Sequence, residues 1–227
     1  MQNGPSQQLA SRCGRIRVFA RISCYLACVK CICFRQHVIE TPPAPRKLRK
    51  CLVIGPTGGG KTLLLQRMAI RDSVATHTKP THGFRQQHVT HSSCDFEMLE
   101  VGGSCEKYWH RYIRNAQALL FVVGTRGGDN RFDGFAETGA MLTKFLQDHV
   151  PSWWPVLVLV NDKDHVNSGE SITPQTARRA LGLEETVMKQ RVHFDVFVCS
   201  AVVQTPELAQ AIICPLDWLA AKLAASR

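Results

Sequence analysis

Gly55-Pro56-Thr57-Gly58-Gly59-Gly60-Lys61-Thr62 is a full match to the phosphate-binding pattern G-x-x-x-x-G-K-[ST]. Each position answers a demand of a bound triphosphate. Glycines let the backbone curl so that successive N–H groups converge on phosphate oxygens. Lys61 brings charge for the β- and γ-phosphates, and the Thr62 hydroxyl suits Mg²⁺. The flanks agree with the motif. Residues 50–54 form a short apolar run fit for a buried strand, and 63–70 are mostly strong helix formers. The order strand, glycine loop, helix adds the anion-binding N-terminus of that helix. A glycine-rich turn with a chance Lys-Thr after it would not require such flanks.

Outward from the loop, apolar runs alternate with helical patterns. Candidate strands cover residues 51–54, 87–91, 95–101, 118–123, 156–160 and 193–199. Candidate helices cover 61–71, 106–114, 132–147, 174–181 and 206–223. The continuous run from Val156 to Val160 is what a central strand covered on both faces requires. The alternation predicts an α/β fold with a mostly parallel six-stranded sheet and helices on both faces. Residues 87–101 hold two strands with no helix between them, so one edge is an antiparallel hairpin.

Charge and cysteine divide the chain at about residue 48. The formal charge is +10, but residues 1–50 hold ten Lys/Arg against the single acid Glu40, which leaves the remainder at +1. The basic character belongs to the first segment, so no nucleic-acid-binding domain is expected. Cys13, Cys24, Cys28, Cys31 and Cys33 crowd that segment, while Cys51, Cys94, Cys105, Cys199 and Cys214 are scattered in mostly apolar surroundings as small hydrophobes. Thr41-Pro42-Pro43-Ala44-Pro45 makes a stiff hinge. The reading is a basic, Cys-rich, flexible extension over 1–47 and one domain over 48–227.

Four further segments follow in order: Lys79-Pro80-Thr81-His82-Gly83-Phe84, Leu99-Glu100-Val101-Gly102-Gly103, Asn161-Asp162-Lys163-Asp164 and Cys199-Ser200-Ala201. They lie at carboxyl ends of predicted strands or on the loop leading to one, where open α/β sheets bind ligands. The series resembles the small GTPases, a P-loop NTPase family, and within them the ADP-ribosylation-factor-like branch, over roughly residues 50–225. Pro80–Phe84 is similar to that branch's switch I, Val101–Gly103 to the entry of its switch II, and Asp217-Trp218-Leu219 to its last helix.

The resemblance implies a GTP/GDP site built from Gly55, Pro56, Thr57, Gly58, Gly59, Gly60, Lys61, Thr62, Thr81, Gly103, Asn161, Lys163, Asp164, Ser200 and Ala201. Mg²⁺ is expected at Thr62, Thr81 and Glu100, the last directly or through water. Thr81 and the Gly103 N–H would meet the γ-phosphate. Asp164 would accept from guanine N1–H and the exocyclic amine, which adenine does not present together. Asn161 would bridge base and phosphate loop, and the Ala201 N–H would face the guanine carbonyl, with Ser200 bracing the loop. Implied partners are effector, exchange-factor and GTPase-activating proteins, in trafficking or ciliary and membrane-linked signalling.

Three departures qualify the resemblance and point to a subgroup within the branch. The base motif normally reads Asn-Lys-x-Asp, and here residue 162 is Asp. Lys163, one place late, is expected to start on the far side of the loop, which predicts weaker nucleotide affinity. Glu100 replaces the usual Asp. Ser104 stands where a glutamine orients the attacking water, and Thr57 where glycine usually leaves room. No residue is therefore assigned as catalytic, and slow intrinsic hydrolysis is expected. The competing class is a non-cycling nucleotide-bound scaffold, similar to a signal-recognition-particle receptor β subunit. A P-loop kinase is disfavoured, because no lid-like arginine cluster follows.

Met1-Gln2 does not fit N-myristoylation, and Ala225-Ser226-Arg227 offers no prenylation cysteine. Membrane contact would come from residues 12–39, where basic residues and cysteines suit S-palmitoylation beside an anionic surface. A mitochondrial presequence, a compact zinc site of Cys28 and Cys31 with Cys24, Cys33 and His37, or a disordered tail or over-long start to the coding frame are the other readings of that segment. The longest uncharged piece there, residues 22–29, is far below the ~20 apolar residues of a span. The expectation is a cytoplasmic monomer with peripheral membrane association.

Overall fold

The computed structural model describes residues 46–70, 78–126, 130–163, 172–183, 191, 193–202 and 206–225, without the side chains of 206–210. These lie in Arg46–Arg227, the second of two units into which the chain divides. The N-terminal extension to residue 45, its five cysteines and Asp164 lie outside the described residues.

Strands β1 (Leu48–Ile54), β2 (Phe84–Thr90), β3 (Asp95–Val101), β4 (Ala118–Gly124), β5 (Val156–Asn161) and β6 (Phe194–Cys199) form one sheet in the order β2-β3-β1-β4-β5-β6. All neighbours are parallel except β2 and β3, which pair antiparallel from Phe84↔Val101 to Thr90↔Asp95. The reason is length. Only residues 91–94 separate those two strands, whereas a parallel crossover takes a dozen or more. This is the mostly parallel sheet with one hairpin edge expected from the sequence.

Helices α1 (Lys61–Ala69), α2 (Phe135–His149), α3 (Pro174–Ala180) and α4 (Pro206–Ala225), with a 3₁₀ segment (Gly103–Asn115), complete the unit. Alternate strand residues feed two cores. Cys51, Val53, Leu120 and Leu157 pack with Leu64 of α1 and Leu216 and Leu219 of α4. Leu52, Ile54, Phe121 and Val158 pack with Trp109, Leu142 of α2 and Ala177 of α3. Helices thus cover both faces, and every residue of β5 is buried. Cys51, Cys94 and Cys199 are buried free thiols, in the small-hydrophobe role expected of them.

Some boundaries differ from expectation. The helix expected over 106–114 is a longer 3₁₀ segment whose Cys105 has non-helical backbone (φ −97, ψ 22). Trp109 is its one fully buried residue, with Cys105, Tyr112 and Ile113 half-buried against the same core. β2 starts at Phe84, three residues early. Only Val89 of this strand is buried, so main-chain pairing to β3 defines it and side-chain pattern does not.

Trp109 is the pin of that 3₁₀ segment. Its ring meets Phe121 and Phe145 edge-on at 6.4 and 5.9 Å, and its Nε1–H donates to the Gly102 carbonyl at 3.3 Å. Trp109→Ala is expected to lower unfolding free energy by about 3–5 kcal/mol, read as a reduced denaturant midpoint at unchanged slope. Loss below 1 kcal/mol (about the contribution of one hydrogen bond) would contradict the packing role.

Candidate functional site

β1 delivers the chain to the sheet's carboxyl edge, and loop 55–60 folds back around a lysine ammonium. Lys61 Nζ donates to the carbonyls of Gly55 and Pro56, both at 2.9 Å, and the residue is only 5% exposed. The turn into α1 needs left-handed backbone at Gly60 (φ 91, ψ 14). A Cβ there would also lie 2.1 Å from Asn161 Nδ2, so conformation and space both demand glycine. No side chain caps α1, which leaves its first N–H groups facing the loop's concave side. Burial pushes the Lys61 pKa down to about 8, with the Glu100 carboxylate opposing that shift.

Three oxygen-bearing side chains from separate elements converge beside Lys61. Glu100 Oε1 accepts from the hydroxyls of Thr62 and Thr81, the latter at 3.2 Å. Those two hydroxyls are 3.1 Å apart. Glu100 is 1% exposed, and its Oε2 has no hydrogen-bond partner. A buried carboxylate oxygen without a partner is costly unless a cation meets it. Hard oxygen donors are what Mg²⁺ takes, so this trio fits that ion. Among the described residues, no group of three or more His, Cys, Asp or Glu is placed to hold a metal.

The trio lines a cavity of about 310 Å³ with Thr57, Gly103 and Ser104. Gly102 N–H donates to the Gly83 carbonyl at 2.9 Å, tying the two switch segments together. Gly103 lies against the phosphate loop, since a Cβ there would meet Thr57 N at 2.3 Å. Ser104 is exposed at the cavity edge.

On the other side of the loop, Asn161 Nδ2 donates to the Gly59 carbonyl at 3.2 Å, and its Oδ1 accepts from Ala201 N–H at 3.0 Å. Asn161 therefore bridges the phosphate loop to the Ser200–Ala201 loop. The Ala201 N–H turns inward here, where the sequence reading aimed it at a base carbonyl. Ser200 is buried beside it. Asp162 is also buried, which pairs with burial itself to push the Cys199 thiol up to about 12.

Lys163 corrects the expectation of an unbraced loop. Its Nζ donates to the Gly58 carbonyl at 2.6 Å, so it does reach the phosphate loop. The reason lies at residue 162. Asp162 Oδ1 accepts from Arg131 Nη2 at 2.6 Å, and that inward turn leaves the next side chain on the loop side. Sequence reasoning missed Arg131, Thr125 and Gly124. Each acts through a neighbour tens of residues away, and no local pattern marks them.

The sequence pattern of the ADP-ribosylation factor family matches residues 36–223. ADP-ribosylation factor-like protein 1 of Drosophila melanogaster is 30% identical over 172 residues, spanning 75% of this chain and 86% of that protein. ADP-ribosylation factor-like protein 15 of Bos taurus is 31% identical over 137 residues, 59% of this chain and 64% of its own. Among solved structures, the Arl6 BBS3 small GTPase of Trypanosoma brucei, with the nucleotide analogue GppNp bound, superposes with a TM-score of 0.61. That match covers 80% of this chain and all of the other at 17% identity, a likeness of fold. The fold is the small G-domain.

Lys61 gives the site a proton signature. At about pH 9 a nucleotide's phosphates are fully ionised while Lys61 is largely neutral. Phosphate beside the amine favours its charged form, so triphosphate binding at that pH should take up most of a proton. Calorimetry in two buffers of different ionisation enthalpy measures this, and equal heats in both would contradict it.

Proposed function

This chain belongs to the ADP-ribosylation factor family of small GTPases, and from that footing we propose that it is a GTP/GDP switch whose loops close on the γ-phosphate. The observation that carries the reading is the convergence of Thr62, Thr81 and Glu100, from three elements, beside buried Lys61 in one cavity. In this reading Lys61 and the N–H groups of loop 55–62 hold the β- and γ-phosphates. Thr81 and the Gly103 N–H contact the γ-phosphate, and Asp164 reads the guanine. Thr62, Thr81 and Glu100 would hold Mg²⁺, which would supply positive charge to the phosphates.

The link between Gly102 and Gly83 makes the two switch segments respond together when the γ-phosphate goes. The surface they would move is apolar. Phe84 is 61% exposed and its ring lies 5.8 Å from that of Tyr112, which suits an effector protein. Ser104 and Thr57 predict slow intrinsic hydrolysis, with a GTPase-activating protein supplying groups in trans.

Glu100, Ser104 and the loop from Gly55 to Leu64 look like those of ADP-ribosylation factor-like protein 16, which would place the function in trafficking or ciliary and membrane-linked signalling. Residues 1–47 would bring this monomer to a membrane surface. No helix of the described residues is long and apolar enough to cross one. The scaffold alternative keeps Ser104 in its favour but loses Asp162, since Lys163 braces the loop.

Identifying the nucleotide released on denaturing the purified protein tests the reading; a guanine nucleotide is expected, and adenine or none would contradict it. Asp164→Asn should shift preference toward xanthine nucleotides by roughly tenfold or more. Unchanged GTP binding in that variant would mean the base site lies elsewhere. In a single-turnover assay without partners, phosphate release should be slow. Rapid release would defeat the switch-first reading.

A further inference from the structure

The base side of the site contains a device that the family motif does not describe. Asp162 follows the last residue of β5 and is 1% exposed, yet it is a carboxylate. Arg131, in the turn before α2, donates to it at 2.6 Å. The main chain around the pair is fixed from two sides. Asp162 N–H donates to the Cys199 carbonyl at 2.8 Å, and Thr125 N–H to the Asn161 carbonyl at 3.0 Å. Lys163 N–H then donates to Oγ1 of fully buried Thr125 at 2.9 Å.

These bonds set the direction in which Lys163 leaves the backbone. With Asp162 inward, Lys163 leaves the turn on the side of the phosphate loop. Its stem passes over Gly124. A Cβ at Gly124 would lie 2.7 Å from Lys163 Cε and 2.9 Å from the Gly59 carbonyl oxygen. Beyond that crossing, Nζ ends on the Gly58 carbonyl at 2.6 Å. Gly58 is itself in left-handed backbone (φ 77), where a pinned carbonyl holds the peptide plane of the curled loop.

A buried carboxylate stays inward only while a cation or donor compensates it. Removing Arg131 takes away a charged partner of buried Asp162, which favours turning that carboxylate toward solvent and carrying Lys163 off the loop.

We propose that Arg131 is a positioning residue for nucleotide retention: by compensating buried Asp162 it seats Lys163 across Gly124 onto the phosphate loop. The inference rests on the reading that loop 55–62 holds a guanine nucleotide. It assigns the brace, normally the task of the residue after the asparagine, to a four-residue relay of Arg131, Asp162, Gly124 and Lys163. Arg131 acts through Asp162 and Lys163 and need not touch the nucleotide.

The test is the dissociation rate of a fluorescent GDP analogue from the full chain, chased with excess GDP, with thermal stability followed in parallel. Arg131→Met and Lys163→Ala should each speed release by roughly tenfold, since altered contacts act mainly on the off-rate. Combined, they should give no more than either alone, because both break one contact. Arg131→Lys should recover much of the slow release. Arg131→Met with Asp162→Leu removes the buried charge together with its partner and should return the rate toward wild type.

A wild-type off-rate in Arg131→Met, or multiplying effects of Arg131→Met and Lys163→Ala, would overturn the proposal. Should Arg131→Met fail to fold, the double substitution decides: fast release from Arg131→Met with Asp162→Leu also overturns it. A wild-type protein that binds no guanine nucleotide defeats the underlying reading instead. Binding with unaltered variant off-rates defeats only the relay.

Discussion

A lysine ammonium buried at the carboxyl edge of the sheet must find acceptors, and Lys61 finds them in the carbonyls of Gly55 and Pro56 within its own loop. That requirement shapes the loop by fixing the Gly55 and Pro56 carbonyls onto the lysine. The remaining contacts fasten onto the same loop. Asn161 holds Gly59, Lys163 holds Gly58, and Gly103 lies against Thr57. The sheet serves this arrangement by ending β1, β3, β4 and β5 at one edge. Their loops are thereby brought within side-chain reach of one another.

The departures from the family pattern fall into two groups with different outcomes. On the base side, Asp162 would leave a gap in the bracing of the loop, and Arg131 with Lys163 closes it. On the γ-phosphate side, Ser104 is exposed at the cavity edge and Thr57 meets Gly103. No side chain among the described residues there takes the part of the water-orienting glutamine. In the proposed reading the brace on the loop is restored while the water-orienting group is not replaced, the pattern expected of a protein that holds its nucleotide and waits for a partner. Glu100 accepts from both threonine hydroxyls with one oxygen.

How much was legible in the sequence depended on how local the cause was. The phosphate loop, the buried strand from Val156 and the β2–β3 hairpin follow from residues adjacent in the chain, and the structure has them. The 3₁₀ segment was read as an α-helix because its spacing is helical. Its departure begins at Cys105, where the backbone is non-helical, and nothing in the spacing marks that break. Lys163 was placed on the wrong side of its loop for a similar reason. Its direction is set by Arg131, 32 positions earlier, and nothing near Lys163 announces that partner. Glu100 was left open between direct and water-mediated contact, and the distances to Thr62 and Thr81 were needed to place its carboxylate.

The central claim is that the γ-phosphate closes the Thr81 and Gly103 segments together onto the phosphate loop. Amide hydrogen exchange of residues 78–84 and 102–105, compared between GDP and a non-hydrolysable GTP analogue with Mg²⁺, addresses it directly. The account predicts that both segments gain protection with the GTP analogue and lose it with GDP, while β4 and β5 are unchanged. Equal protection of both segments in the two nucleotide states would contradict it and leave a scaffold that does not switch.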